Sequence, residues 1–192
     1  AMGDGQWVYY LAGCATGKRA ALGTPLMFDP GTRWEYSISI DWAGLMVEAA
    51  SGQKLGDYLA ANILGPLGLN STGFKVTDDM ESRIATVHQR GKGGLTTMPK
   101  FRMVQDPEVQ AGGGGLYSTI QDFGAFTRMI LNRGCGNGSQ ILKPETVDMM
   151  SVNQMNNCRV VGLKSSDRAR SLDVEFFPGV PKTWGLSFMI NE

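Results

Sequence analysis

Apolar side chains recur at helical spacing in three stretches of the chain. Trp42, Leu45, Met46 and Ala49 predict a helix that opens near Asp41, with Asp41 at or near its N-cap, and closes at Ser51-Gly52. Leu55, Tyr58, Leu59 and Ile63 predict a second helix over 55–64, stopped by Gly65-Pro66. Ile120, Phe123, Phe126, Ile130 and Leu131 predict an amphipathic helix over 119–132, capped by Ser118 or Thr119. Pro144 suits the first turn of a short helix over 144–151, and Thr77 before Asp78 and Asp79 suits another helix start. One stretch alternates instead. Trp184, Leu186, Phe188 and Ile190 fall on one face of a strand over 183–190.

The rest is punctuation. Residues 1–24 read as loop with a short helix, Asp29-Pro30-Gly31 as a turn, and 67–74 as a turn-rich link. Residues 89–115, broken by Gly91, Gly93, Gly94, Pro99, Pro107 and the run Gly112–Gly115, read as a long connection. Connections of that length in compact domains are often functional. Residues 134–138 read as loop and 156–182 as polar and irregular, with no internal repeat.

Composition narrows the function. The 192 residues carry 18 basic and 18 acidic side chains, so the net charge is zero. Neither nucleic acid nor an anionic membrane would capture such a chain electrostatically. No apolar run approaches the ~20 residues of a membrane span. The 26 glycines, roughly twice the usual share, indicate many turns. Cys14, Cys135 and Cys158 are odd in number and contain no Cys-x-x-Cys pair, which disfavours a structural zinc or a disulfide framework and fits a reducing, cytoplasmic compartment. With His88 as its one histidine, the chain offers at most one imidazole to a metal or to a Ser-His-Asp triad. No metal or cofactor is expected.

Four features could carry chemistry by themselves. Ser51-Gly52-Gln53-Lys54 matches Ser-x-x-Lys in letters, but Gly52 reads as a helix stop. Gly112–Gly115 lacks the Lys that a phosphate loop requires. It reads as backbone passing close to another backbone or a substrate, or as a tight turn before the 119–132 helix. Asp78 and Asp79 diverge from adjacent positions and form no glycosidase pair, and Lys164, Arg168 and Arg170 read as a solvated basic loop. From Trp34-Glu35-Tyr36-Ser37 alone, a half-buried tyrosine beside Trp34 is the plainer reading.

The ordered set of motifs says more. It comprises Pro25-Leu26-Met27-Phe28-Asp29-Pro30-Gly31-Thr32-Arg33-Trp34-Glu35-Tyr36-Ser37, then Asp41, Gly44, Val47-Glu48 and Ser51-Gly52. Pro66-Leu67-Gly68-Leu69, Thr72-Gly73-Phe74, Ala111 to Thr119, Asp122, Phe126 and Trp184-Gly185-Leu186-Ser187-Phe188 follow. This set resembles the serine beta-lactamase-like superfamily, with the nearest likeness to family VIII carboxylesterases, relatives of class C beta-lactamases and penicillin-binding proteins. The resemblance implies an α+β, beta-lactamase/transpeptidase-like fold, of which the chain holds mainly the helical part and the start of the antiparallel sheet. It implies a serine in Ser-x-x-Lys that attacks an ester or amide carbonyl, with Tyr36 as general base and acid. A phenol ionises near pH 10 in water and serves only where a neighbouring ammonium favours its anion. By the same resemblance Gly113, Gly114 and Gly115 line the substrate pocket.

Two departures shape the expectation. Class C beta-lactamases carry an amide side chain two residues after the Tyr. Here Ile38 stands there and donates no hydrogen bond, which suits an esterase. The 35 residues before Tyr36 contain no Ser. The resemblance therefore implies that residues 1–192 are a partial domain, without the Ser-x-x-Lys region and the C-terminal sheet, completed by missing segments or a second chain. The expected activity is hydrolysis of a small-molecule, short-chain ester. The alternatives are a beta-lactamase or D-amino-acid peptidase, and a non-catalytic homologue acting as a binding module.

Overall fold

The computed structural model describes residues 16–26, 28–165 and 172–192. Its first long helix, α1 (Ser39–Ser51), opens two residues earlier than Asp41. Ile38 is the N-cap, and the Ser37 hydroxyl accepts the Ser39 N–H at 3.2 Å. Asp41 thus lies in the first turn, fully buried, rather than at the cap. Gly52 closes the helix as expected, in the left-handed region with φ 71°, its N–H donating to Glu48 O. The inward face is Asp41, Gly44 and Leu45, while Trp42 and Met46 of the predicted stripe are exposed.

The second helix passes through Gly65-Pro66 instead of stopping there. α2 (Leu55–Leu59) widens into a π-turn (Ala60–Leu64) and tightens again as α3 (Gly65–Leu67). The wide turn lets Gly65 N–H reach Ala60 O, five residues back. Pro66 then falls in the first turn of a new helical segment, where its missing N–H costs nothing. Gly68, with φ 71°, ends the run. α4 (Asp78–Glu81) starts at Thr77, whose hydroxyl accepts the Met80 N–H.

The long connection contains a hairpin that the pattern does not announce. β1 (Val87–Gly91) pairs antiparallel with β2 (Gly94–Met98), turning at Lys92-Gly93. Nearly every residue of both strands is exposed, so no apolar alternation marks them. His88 sits on this hairpin, its Nδ1 3.1 Å from Thr86 O. Residues 99–117 remain irregular.

α5 (Ile120–Leu131) is capped by Thr119, whose hydroxyl accepts the Asp122 N–H at 3.2 Å. Its deepest residue is Met129, with Phe126 and Ile130 beside it, whereas Ile120, Phe123 and Leu131 of the predicted face are exposed. A tight ribbon, β3 (Cys135–Gly136) with β4 (Ser139–Gln140), follows within the expected loop, and then α6 (Pro144–Met150). The expected strand over 183–190 is instead a second short ribbon. β5 (Lys182–Trp184) turns through Gly185–Phe188 and pairs with β6 (Met189–Asn191). Gly185 allows the turn because Met150 O would lie 2.1 Å from any Cβ there. Leu186 N–H donates to the same carbonyl.

The described residues form a mixed α+β arrangement, with helices and three separate antiparallel ribbons. Among the described residues, two apolar clusters stand out in its core. One is Leu22, Leu45 and Val109, with Ile38 packed against it. The other is Leu67, Leu69 and Met129, under α3 and α5. Among the described residues, no helix is long and apolar enough to cross a membrane. Cys135 and Cys158 are free thiols, and Cys14 lies outside the described residues.

Candidate functional site

Tyr36 lies in an irregular segment, 34–37, that leads into α1. Trp34, two residues earlier, packs on Trp184 at 5.7 Å between ring centroids, so the end of the chain steadies this segment. Arg33 pairs with Glu35 at 3.8 Å and lies 4.2 Å above the Phe28 ring. Tyr36 itself is 43% exposed, which leaves its ring within reach of a small molecule.

The structure brings Tyr36 and the glycine run together. Tyr36, Phe74, Val109, Gly113, Gly114 and Gly115 line one cavity of about 260 Å³, to which Met103, Val104 and Pro107 add apolar wall. The sequence separates the tyrosine from the glycines by more than seventy positions. What unites them is Asp41. Its carboxylate, buried in the first turn of α1, accepts the Gly113 N–H at 2.7 Å. The glycine run can lie against α1 because Gly112 has no side chain: a Cβ there would stand 2.2 Å from Ile40 O. Gly44 is the helix's side of the same contact, since its own Cβ would meet Gly112 N at 3.3 Å.

Hydrogen bonds from backbone and side chains tie down the residues next to Phe74 and Val109. Tyr117 and Gly73 exchange both backbone hydrogen bonds, at 2.8 and 3.1 Å. The Asp122 carboxylate accepts the Ser71 N–H at 2.9 Å and the Thr72 hydroxyl at 2.8 Å. Gly56 N–H donates to Gln110 Oε1 at 2.6 Å, tying α2 to the irregular run before the glycines. The irregular stretch 99–117 is thus fastened at intervals by polar side chains.

Other candidates fall elsewhere. The Ser51 hydroxyl donates to Val47 O at 2.7 Å and lies outside the Tyr36 cavity, so it serves the end of α1. Lys164 pairs with Asp173 at 3.1 Å, while Arg168 and Arg170 lie outside the described residues. Ile38 packs against the Leu22, Leu45 and Val109 cluster. Asp41, expected as a helix cap, is instead a buried acceptor for the glycine run, a role the apolar spacing does not show. Its place in the ordered motif set marks it in the sequence, as does an acid flanked by Ile38, Ile40 and Trp42. Among the described residues, no group of three or more His, Cys, Asp or Glu side chains could hold a metal ion.

The arrangement is that of the beta-lactamase/transpeptidase-like fold, and the Beta-lactamase family model matches residues 4–192. The chain belongs to that family. It is 35% identical over 138 residues to the monacolin J acid methylbutanoyltransferase of Aspergillus terreus, covering 70% of this chain and 32% of that protein. It is 34% identical over 131 residues to the lovastatin esterase of Penicillium rubens, covering 66% and 32%. Among solved structures it resembles a simvastatin synthase (LovD) variant from Aspergillus terreus, with a TM-score of 0.67, 26% identity, and 88% and 42% of the two chains covered. The chain spans about a third of the length of the curated relatives it matches.

Proposed function

We propose that this chain supplies the general base and one pocket wall of a serine carboxylesterase for short-chain esters. The observation that carries the reading is the shared cavity of Tyr36 and Gly113–Gly115. A serine hydroxyl attacks the ester carbonyl and passes its proton to Tyr36 as general base, the Lys of Ser-x-x-Lys sharing in that transfer. The tetrahedral intermediate then collapses, and the phenol returns that proton to the departing alkoxide. Water repeats the sequence on the acyl-serine and releases the acid. The serine belongs to a Ser-x-x-Lys segment outside residues 1–192, in missing segments or a second chain. No step needs a cofactor, and the partner is the small-molecule ester.

A second reading differs only in the acceptor. An alcohol in place of water makes the same acyl-enzyme a transferase, and the methylbutanoyltransferase named above is a relative of comparable identity. An amide substrate, as for a beta-lactamase or D-amino-acid peptidase, is disfavoured because Ile38 faces an apolar cluster.

The test is hydrolysis of p-nitrophenyl butanoate by a polypeptide that joins residues 1–192 to the Ser-x-x-Lys segment. Tyr36→Phe should lower kcat by roughly 10²–10⁴-fold, the usual worth of a general acid–base, with little change in KM. Unchanged turnover removes Tyr36 from the mechanism. Faster turnover of a chromogenic cephalosporin than of the ester favours the amide reading. Absence of both leaves the binding module.

A further inference from the structure

A second and larger cavity, of about 390 Å³, adjoins the first. Ile84, Val87, Phe101 and Tyr117 give it apolar walls, and Ser71 and Arg83 line it as well. Met103 lines both cavities.

The Met103 backbone is held on both sides. Its N–H donates to the Tyr117 hydroxyl oxygen at 2.8 Å, and its carbonyl accepts from Gln105 Nε2 at 2.7 Å. Gln105 in turn accepts the Val76 N–H at 2.8 Å, and Tyr117 is pinned to Gly73. What remains adjustable between the cavities is an unbranched thioether side chain, the type that reshapes most readily around a ligand. The polar groups of the second cavity already have partners inside the protein. Arg83 is paired with Asp79 and donates to the Ser71 hydroxyl at 3.1 Å, and the Ser118 and Thr72 hydroxyls lie 2.9 Å apart. An anionic ligand would compete with Asp79 for that guanidinium. A neutral alkyl chain would not.

We propose that Met103 sets the acyl-chain length. It is the partition that confines the substrate to the cavity beside Tyr36, and its removal opens the second cavity to a neutral, medium-length alkyl chain. The proposal rests on the ester reading for its biological meaning, but its geometry is testable without turnover.

Alkyl methyl ketones are neutral, non-hydrolysable carbonyl analogues of such esters. 2-Hexanone and 2-decanone would be titrated into the chain and its variants, with the Gly113–Gly115 amides followed by NMR in each and the Met103 methyl in the wild type. The wild type should bind the two about equally. Met103→Ala should favour 2-decanone by roughly fourfold for each additional methylene housed. Met103→Leu, which keeps the volume, should behave as wild type, and Ile84→Phe added to Met103→Ala should remove the gain. Met103→Val serves should the alanine variant fail to fold. A wild type that already favours 2-decanone, or a folded alanine or valine variant with no gain, overturns the proposal. In the catalytically complete polypeptide, the same variant should move the preferred p-nitrophenyl ester from butanoate towards octanoate. Shifted ketone selectivity without hydrolysis of any ester by the wild type sinks the esterase reading alone. Ester hydrolysis with unchanged selectivity on both probes sinks the Met103 assignment alone.

Discussion

Asp41 is the residue on which the site's shape turns. It comes five positions after Tyr36 and reaches a backbone amide 72 positions further on. A carboxylate accepting a backbone N–H makes a charge-assisted bond, stronger than one between neutral groups. Asp41→Ala removes the buried acceptor of a hydrogen bond to a charged group, a loss of about 1.5–3 kcal/mol. Asp41→Asn keeps an acceptor oxygen in the same place and should lose less. The measurement is twofold. Urea unfolding gives the stability order wild type, Asn, Ala, and hydrogen exchange at the Gly113 amide should quicken most in the Ala variant. Equal exchange in all three would mean that Asp41 does not hold the glycine wall.

At the level of elements, local signals were legible and long-range ones were not. Thr77, Thr119 and Gly52 act through atoms within four residues, and each does in the structure what its type and position predict. The Tyr36 and Gly113–Gly115 segments were each visible as motifs, and it was the resemblance, not the apolar pattern, that put both at one site; in the structure both line one cavity. The β1–β2 hairpin escaped because a ribbon exposed on both faces has no hydrophobic alternation, although Gly91-Lys92-Gly93-Gly94 is a turn signal in its own right. The Pro66 stop failed because π-widening removed the need for a proline N–H. The strand over 183–190 failed because alternation says nothing of a turn that Gly185 makes possible.

The same scale shows one element held by charge. α4 and the irregular stretch beyond β2 are joined by the Glu81–Arg102 ion pair, in which both Nε and Nη2 of the guanidinium donate to the carboxylate. Hydrogen bonding from Arg102, more than its charge at a distance, holds the Glu81 carboxyl below its ordinary range and raises Arg102. A carboxyl whose folded pKa is depressed adds stability above its unfolded value, about 4.3, and loses it as pH falls through the folded one. Wild type should therefore be modestly more stable than Glu81→Gln at pH 7, with the difference closing below about pH 4. Thermal unfolding across that range checks it. A difference that persists at pH 2–3 would point to packing of the side chain rather than its ionisation.

At the scale of the whole molecule, two separate clusters of buried side chains stand out among the described residues. Leu45 belongs to the cluster with Leu22 and Val109 that Ile38 covers, directly behind the segment bearing Tyr36. Met129 belongs to the cluster with Leu67 and Leu69, beneath α3 and α5. The two clusters share no member. Truncation of a buried Leu or Met to Ala costs about 2–5 kcal/mol through lost transfer energy and the cavity left behind. Because the sites have no common partners, the losses in Leu45→Ala and Met129→Ala should add in the double variant to within about 0.5 kcal/mol. Their effects at the Tyr36 cavity should differ. Val109 lines that cavity and Leu45 packs on Val109, so Leu45→Ala loosens its wall. Met129 touches neither. Leu45→Ala should therefore weaken 2-hexanone binding under conditions where both variants are folded, and Met129→Ala should leave it as in wild type. Equal weakening by the two would show that the cores act as one body and that the cavity responds to global stability instead of to its own wall.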